Sequence, residues 1–252
     1  MPALLAVTFL ALPLVGLALR APWSRLGEIL TADVVRQSLV LSLWTSVTAT
    51  ALSVLLGVPL AWLLARGRFP GRRIVQAAVT LPLVLPPVVG GVALLGVLGR
   101  RGTLGVYLDE WFGITIPFTP AAVVLAQTFV AMPFLVLSVE GALRGADERF
   151  EEAAASLGAS RWTTMRRVTL PLLAPSVAAG AVLTWARALG EFGATITFAG
   201  NFPGRTQSLP VTVYAAIESD PQAATALSVV LLAVCLAVLV ALRGHWLGQA
   251  AR

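Results

Sequence analysis

The chain has 252 residues, 58% of them hydrophobic and 12% charged, with a mean hydropathy of +0.86. Soluble domains carry about a quarter charged residues, so a water-soluble globule is excluded and an integral membrane protein is indicated. All 18 basic residues are arginine and the net charge is +6, yet no segment is polar enough to hold nucleic acid in water, so the basicity points to anionic lipid.

Six stretches are long and apolar enough to cross a hydrocarbon core of about 30 Å, which takes roughly 20 helical residues. They run Ala3 to Leu19, Ser38 to Ala65, Ile74 to Gly99, Pro120 to Val139, Ala174 to Phe198 and Gln222 to Leu242. Backbone groups in lipid must be bonded within their own segment, and the alternation of a barrel is missing. The expected fold class is therefore an all-α membrane protein of six transmembrane helices, a single domain over residues 1–252.

The first span has a cleaved signal peptide as its alternative, but it lacks a positive n-region and is longer than the usual apolar core of about 7 to 15 residues. The second and third spans are long enough to tilt or to project from the bilayer. "LPLVLPPVVGG" at residues 81 to 91 marks a break of the kind that survives where neighbouring helices or a wet cavity cover the freed carbonyls. Near the cytoplasmic end of the fourth span, Glu140 is expected to snorkel or to pair with a loop arginine.

In the fifth span Arg187 and Glu191 are four residues apart, so both project from one helical face, with Thr184 and Thr195 about a turn beyond at either end. Each charge in a span costs roughly 2.5 to 3.5 kcal/mol on insertion scales, so such groups face a bundle interior or a wet cavity. Two roles stay open. The pair fixes helix packing by compensating itself, or it belongs to a translocation pathway or gate, with Gly190 and Gly193 providing close approach or a hinge. The following loop carries Asn201, Arg205 and Gln207, either as an ordinary turn or as a docking surface. In the sixth span Cys235 stands alone in an apolar run, which excludes an intrachain disulfide and a cysteine metal cluster. His245, the only histidine, reads as an interfacial residue beside Trp246.

With six spans both termini share a side. Eleven arginines fall on that side, among them Arg66, Arg68, Arg72, Arg73, Arg144, Arg166 and Arg167, against six opposite: Arg20, Arg25, Arg36, Arg100, Arg101 and Arg205. The positive-inside rule puts both termini in the cytoplasm. The first loop, with three arginines outside, runs against this and is outvoted by the later loops.

The longest cytoplasmic loop, residues 145–171, contains "EEAAASLGASRWTTMRRVTLP" over 151 to 171. Alanine and glutamate favour a helix over its first part, Gly158 stops it, and Ser160 caps a second helix starting at Arg161. A solvated connector is one reading, but a connector has no need of three alanines beside a dense cluster of charge. Glu152-Ala153-Ala154, three residues, Gly158, nine residues, Val168, one residue and Leu170-Pro171 resemble the EAA loop of ABC-importer permeases, with Glu151 beside it and valine where isoleucine is commoner. The resemblance implies that this loop docks on a cytoplasmic ABC ATPase and passes its motion to the spans. Small alanines suit such a helix-in-groove contact.

"ARALGEFGATITFAGNFPGRTQSLPVTVY" at 186 to 214, "LPLVLPPVVGG" and "RGRFPGRR" resemble the molybdate permease subunits of these importers, a similarity covering about residues 35 to 243. It implies a type I importer-like homodimer in a bacterial or archaeal inner membrane, with two ATPases below and an extracytoplasmic molybdate-binding protein meeting Asn201, Arg205 and Gln207 above. Tungstate or sulfate and thiosulfate permeases are the near alternatives, an ATP-independent secondary transporter or channel the distant one. No metal site, cofactor or catalytic residue is expected on this chain. Without any lysine it has no G-x-x-x-x-G-K-[ST] phosphate loop, so ATP and Mg are expected on the partner ATPase. A single histidine makes a His-based metal site or a Ser-His triad implausible.

Overall fold

A computed structural model describes residues 1–147 and 149–247, with the side chains of 161, 239 and 241–247 outside the description. The expected placement of His245 beside Trp246 falls among those side chains. In chain order the elements are α1 (Pro2–Leu19), a 3-10 turn (Trp23–Arg25), α2 (Leu26–Thr31), α3 (Asp33–Arg66), α4 (Arg72–Val84), α5 (Pro87–Leu98) and α6 (Gly105–Phe112). They continue with α7 (Pro120–Gly145), α8 (Arg149–Ser156), α9 (Arg161–Thr164), a π-helical turn (Met165–Thr169), α10 (Leu170–Leu189), α11 (Gly193–Ala199), α12 (Leu209–Ser219) and α13 (Pro221–Leu247). No strand occurs among the described residues.

Five helical stretches are long and apolar enough to cross a membrane: α1, α3, α7, the run Trp162–Leu189 that ends in α10, and α13. The third expected span is not a single helix. Pro86 and Pro87 follow one another, each disfavouring the helical conformation in the residue before it, so Leu85 and Pro86 turn extended and split the segment into α4 and α5. The pair still packs along α7, with Gln76 beside Glu140 near one end and Leu98 against the buried cluster that includes Ala122 and Val123 near the other. The fifth expected span is also interrupted, at residues 190–192.

α7 is the axis of the bundle, the most buried of the long apolar helices, and α3 and α10 pack along it. Between helices in lipid there is little hydrophobic driving force, so close approach through small residues supplies the contact. Gly57 of α3 lies where a Cβ would sit 3.1 Å from the Leu135 side chain, and Gly180 of α10 where one would sit 3.0 Å from Leu135 and Ser138. α1 is apolar all round, buries no residue and touches α13 alone among the larger contacts, so its surface faces lipid or another chain.

At the arginine-rich end the charges are tied into the bundle. Glu140, 3% exposed, accepts from Arg144 Nη2 at 2.6 Å and from Gln76 Nε2 at 3.2 Å, so it pairs with an arginine in the last turn of its own helix and holds α4 to α7. At the opposite end Asp220 accepts from the backbone N–H groups of Gln222 and Ala223 and from Arg25 Nη2. The Ala223 bond, helped by Arg25, holds its carboxyl below the usual carboxylate range. A depressed folded-state pKa contributes stability above the unfolded value of 3.8, lost as pH falls through the folded value. Asp220→Asn is therefore expected to lower the melting temperature at pH 7 and to have little effect once pH is below the folded pKa, as a pH series of thermal melts would read.

Candidate functional site

Two interruptions meet inside the bundle. α10 ends at Leu189, where Gly190 N–H donates to Ala186 O at 3.2 Å and Glu191 N–H to Ala188 O at 3.1 Å. α11 restarts at Gly193, and a Cβ there would lie 2.9 Å from Pro87 Cβ and 3.2 Å from Val88 N. The first turn of α5 thus rests on the first turn of α11, break against break. One turn further along, a Cβ on Gly91 would meet Ala194 O at 2.9 Å and Thr197 Cβ at 2.7 Å. Broken helices packed on one another leave main-chain groups free of their own ladder, the arrangement on which transporters build substrate paths. Because backbone blocks the Gly91 position, Gly91→Ala is expected to push α5 off α11 at a cost of about 1–3 kcal/mol, measurable as lost thermal stability of the purified chain.

Glu191 spans the gap between α10 and α11. Its Oε2 pairs with Arg187 Nη2 at 2.5 Å and its Oε1 accepts the Ala194 N–H at 2.8 Å. The two charged side chains meet as their spacing predicts, although Glu191 lies beyond the end of the helix and not on its continuous face. The carboxylate is 1% exposed and the guanidinium 27%, so the acid is the buried member of the pair. Of the two expected glycines, only Gly193 provides close approach between elements; Gly190 is exposed and meets nothing nearer than its own helix's Ala186 O at 3.6 Å. Thr184 and Thr195 are fully buried with hydroxyls that have no hydrogen-bond partner, so they line no open path in this conformation.

Sequence reasoning passed over Gln127. It is fully buried on α7, and neither amide atom has a partner. Its neighbours along the helix, Val124 and Ala131, pack with Ala49 of α3 and Ala188 of α10, which places it where the three helices meet, level with the α10–α11 break. An amide inside an apolar span is the signal that would have found it.

The loop from Gly200 to Ser208 divides. Asn201 and Arg205 are exposed, but Gln207 is buried, which corrects its expected place on a docking surface. The reason is the start of α12. Leu209 N–H donates to Ser42 Oγ at 2.7 Å and Gln207 N–H to Phe202 O at 3.1 Å, drawing residues 206–209 onto α3.

At the arginine-rich end, residues 149–171 form two short helices joined by a tight turn. Gly158 takes φ 81°, with its N–H on Ala155 O and the Ala159 N–H on Ala154 O, closing α8 in a Schellman motif. Ser160 Oγ accepts the Thr163 N–H and opens α9. Glu152 and Ala153 are exposed and Ala154 half-buried, while Leu157 and Trp162 are exposed apolar side chains on the same pair. Glu151 behaves differently, accepting from the buried Thr169 Oγ1 at 3.1 Å. Thr169 closes the π-helical turn, and Leu170-Pro171 opens α10 directly after it, so Glu151 fastens the helix pair to the foot of α10. A cavity of about 340 Å³, lined by Trp62, Glu151, Ala155 and Thr164, separates the pair from the end of α3.

A family model described as binding-protein-dependent transport system inner membrane component matches residues 53–248. The chain is 51% identical over 234 residues to the molybdenum transport system permease protein ModB of Mycobacterium tuberculosis, covering 93% of this chain and 88% of that protein. It is 42% identical over 216 residues to ModB of Escherichia coli K12, covering 86% and 94%. A probable sulfate transport system permease protein cysT of Chlorokybus atmophyticus is 37% identical over 234 residues, covering 91% and 82%. Among solved structures, a bacterial ABC transporter involved in the import of alginate superposes with a TM-score of 0.74 at 19% identity, covering 98% of this chain and 92% of that one. The MetNI methionine ABC transporter, inward facing, gives 0.63 at 21% identity, covering 86% and 99%. The structural likenesses establish the fold, and the sequence match fixes the relationship: the chain belongs to the inner-membrane components of binding-protein-dependent transport systems and is a ModB-like permease within that family.

Proposed function

We propose that this chain is the membrane-spanning subunit of an ATP-driven importer that moves molybdate, or a similar tetrahedral oxyanion, into the cytoplasm. The observation that carries the reading is the identity to ModB permeases over nearly the whole chain, 51% and 42%, against 37% for the sulfate permease. In this reading all 252 residues act as one transmembrane domain, the α4–α5 pair supplies the sixth crossing, and both termini are cytoplasmic. Two copies form a homodimer, since one chain offers one coupling loop and two ATPases need two. ATP and Mg are bound by those ATPases, and an extracytoplasmic binding protein docks over Asn201 and Arg205.

The geometry supports a mechanical route. The exposed faces of α8 and α9, with Glu152, Ala153, Ala154 and the turn at Gly158, seat on the ATPase. The Glu151–Thr169 bond passes their displacement into α10 past Leu170 and Pro171. At the far end of α10, the Arg187–Glu191–Ala194 link passes it to α11 and to α5 packed beneath. Glu191 neutralises Arg187, so the path holds a dianion weakly and lets it leave, while capture rests with the binding protein. Gln127, Thr184 and Thr195 are polar groups that find partners when the break opens.

The test is competition for uptake by the complete transporter in proteoliposomes supplied with loaded binding protein and ATP. Tungstate is expected to compete with labelled molybdate at similar concentrations and sulfate only in large excess. Equal competition by sulfate would assign the assembled transporter to sulfate instead.

A further inference from the structure

α6 presents its apolar face outward. Leu104, just ahead of the helix, lies on one side with Tyr107, Leu108, Trp111 and Phe112 at helical spacing. Trp111 is 72% exposed and Phe112 67%, with Leu104 and Tyr107 about half exposed. Left in water, this face would be a costly patch for so short an element.

The polar side is held inward by bonds, so the orientation is built. Asp109 Oδ1 accepts from Thr115 Oγ1 at 2.8 Å and Asp109 Oδ2 from Arg100 Nε at 3.2 Å, clasping the helix from the segments before and after it. Tyr107 and Trp111 pack with ring centroids 5.4 Å apart and planes tilted by 55°, and Gly113 at φ 64° ends the helix.

The position is equally constrained. Six residues separate α6 from the end of α5 and seven from the start of α7. Thr103 N–H donates to Gly96 O and Leu104 N–H to Val97 O, so the loop uses the free carbonyls of α5 and fixes α6 to it. A helix held between the ends of two apolar helices lies where hydrocarbon gives way to headgroups, the level at which tryptophan and tyrosine concentrate. The exposed apolar side chains Val88, Val92 and Val97 of α5 continue the lipid-facing surface toward it. Arg100 and Asp109 neutralise one another, and the exposed Glu110 lies off the apolar face by its helical position, while the exposed Arg101 is placed for lipid phosphate.

We propose that α6 is an interfacial anchor. Its Leu104, Tyr107, Trp111 and Phe112 face lies in the headgroup region of the leaflet opposite the arginine-rich end, and through the 99–104 loop it holds α5, and hence the α5–α11 contact, at a fixed depth. Amphipathic helices of this kind sit in the interface plane with the apolar side down. The proposal rests on the chain being a membrane permease and is independent of which anion is carried.

The test uses the assembled transporter in lipid nanodiscs, with Cys235→Ala and single nitroxide labels placed through Trp111→Cys, Phe112→Cys or Glu110→Cys. Collisions with oxygen, which concentrates in lipid, are compared with collisions with a water-soluble nickel chelate. Labels at 111 and 112 are expected to favour oxygen several-fold over the label at 110. Nickel access at 111 equal to that at 110 would place the face in water and overturn the proposal. Protection of 111 from both reagents would overturn it in favour of a protein partner. Trp111→Ser combined with Phe112→Ser is expected to reduce uptake several-fold with assembly intact, and Trp111→Phe to retain it. Unchanged uptake in the double variant would remove the link from anchor to α5. Since the label readout does not depend on cargo, its failure leaves the molybdate reading standing.

Discussion

Arg187→Ala is expected to destabilise the folded chain by about 3–5 kcal/mol, the cost of breaking a buried ion pair from one side. The variant strands Glu191, whose carboxylate is 1% exposed and keeps only the Ala194 N–H as partner. Glu191→Ala is expected to cost less from the stranded charge, because the guanidinium is 27% exposed and can reach water, but it also uncaps Ala194. Glu191→Gln retains an acceptor for that N–H and falls between wild type and alanine. The double alanine removes both charges and is expected to recover much of the loss, the signature of coupled neighbours in a double-mutant cycle. Denaturant or thermal unfolding of the purified complex reads the stabilities, and vesicle uptake with saturating loaded binding protein reads transport. A double variant no more stable than the worse single one removes the pairing account. Full transport in it removes the route through this link.

Gly158→Val is expected to abolish most uptake while expression and membrane insertion stay normal. Nothing lies within 4 Å of the position a Cβ would take, so crowding is not the cause. The cause is φ 81°, a left-handed conformation that costs roughly 1–2 kcal/mol for an ordinary residue and more for a β-branched one. The chain escapes by moving the turn, which swings α9 away from α8 and misplaces the pair on the ATPase. Gly158→Asn, which tolerates that conformation, is expected to retain most activity. The checks are co-purification of the ATPase and uptake in the same vesicles. Wild-type uptake in the valine variant would sink the docking role of this turn.

The existence of α1, α3 and α7 could be read from apolar length alone, because in lipid a long apolar run has little choice but helix. Not all their limits could: α3 begins at Asp33, ahead of the expected Ser38, and α7 runs on to Gly145, past the expected Val139, because both helices continue into polar turns that apolar length does not mark. The breaks were less legible. Pro13, Pro59, Pro82, Pro133 and Pro175 all lie inside helices, whereas Pro86 and Pro87 end one and begin the next. A single proline frees one carbonyl that neighbours can cover; two in succession force two extended residues, and the doublet was the stronger signal. Glu191 was legible as Arg187's partner but not as the cap of α11, since its spacing was judged on a continuous helix. Gln207 reads as a surface residue in sequence because its burial follows from the neighbouring Leu209 N–H bonding to Ser42, 167 positions earlier in the chain. The turn at Gly158 and the cap at Ser160 were legible because both are local, whereas the Glu151 bond to Thr169 depends on how the π-helical turn folds back.

The most direct test of an ATP-coupled permease is uptake by proteoliposomes that contain this chain, its ATPase and loaded binding protein, with ATP present or absent. Labelled molybdate is expected to accumulate against its gradient with ATP, and to stay outside when ATP is withheld or when the chain is reconstituted without the ATPase. Movement of molybdate down its gradient through the chain alone, without ATP, would contradict the account and make this protein a channel or secondary transporter.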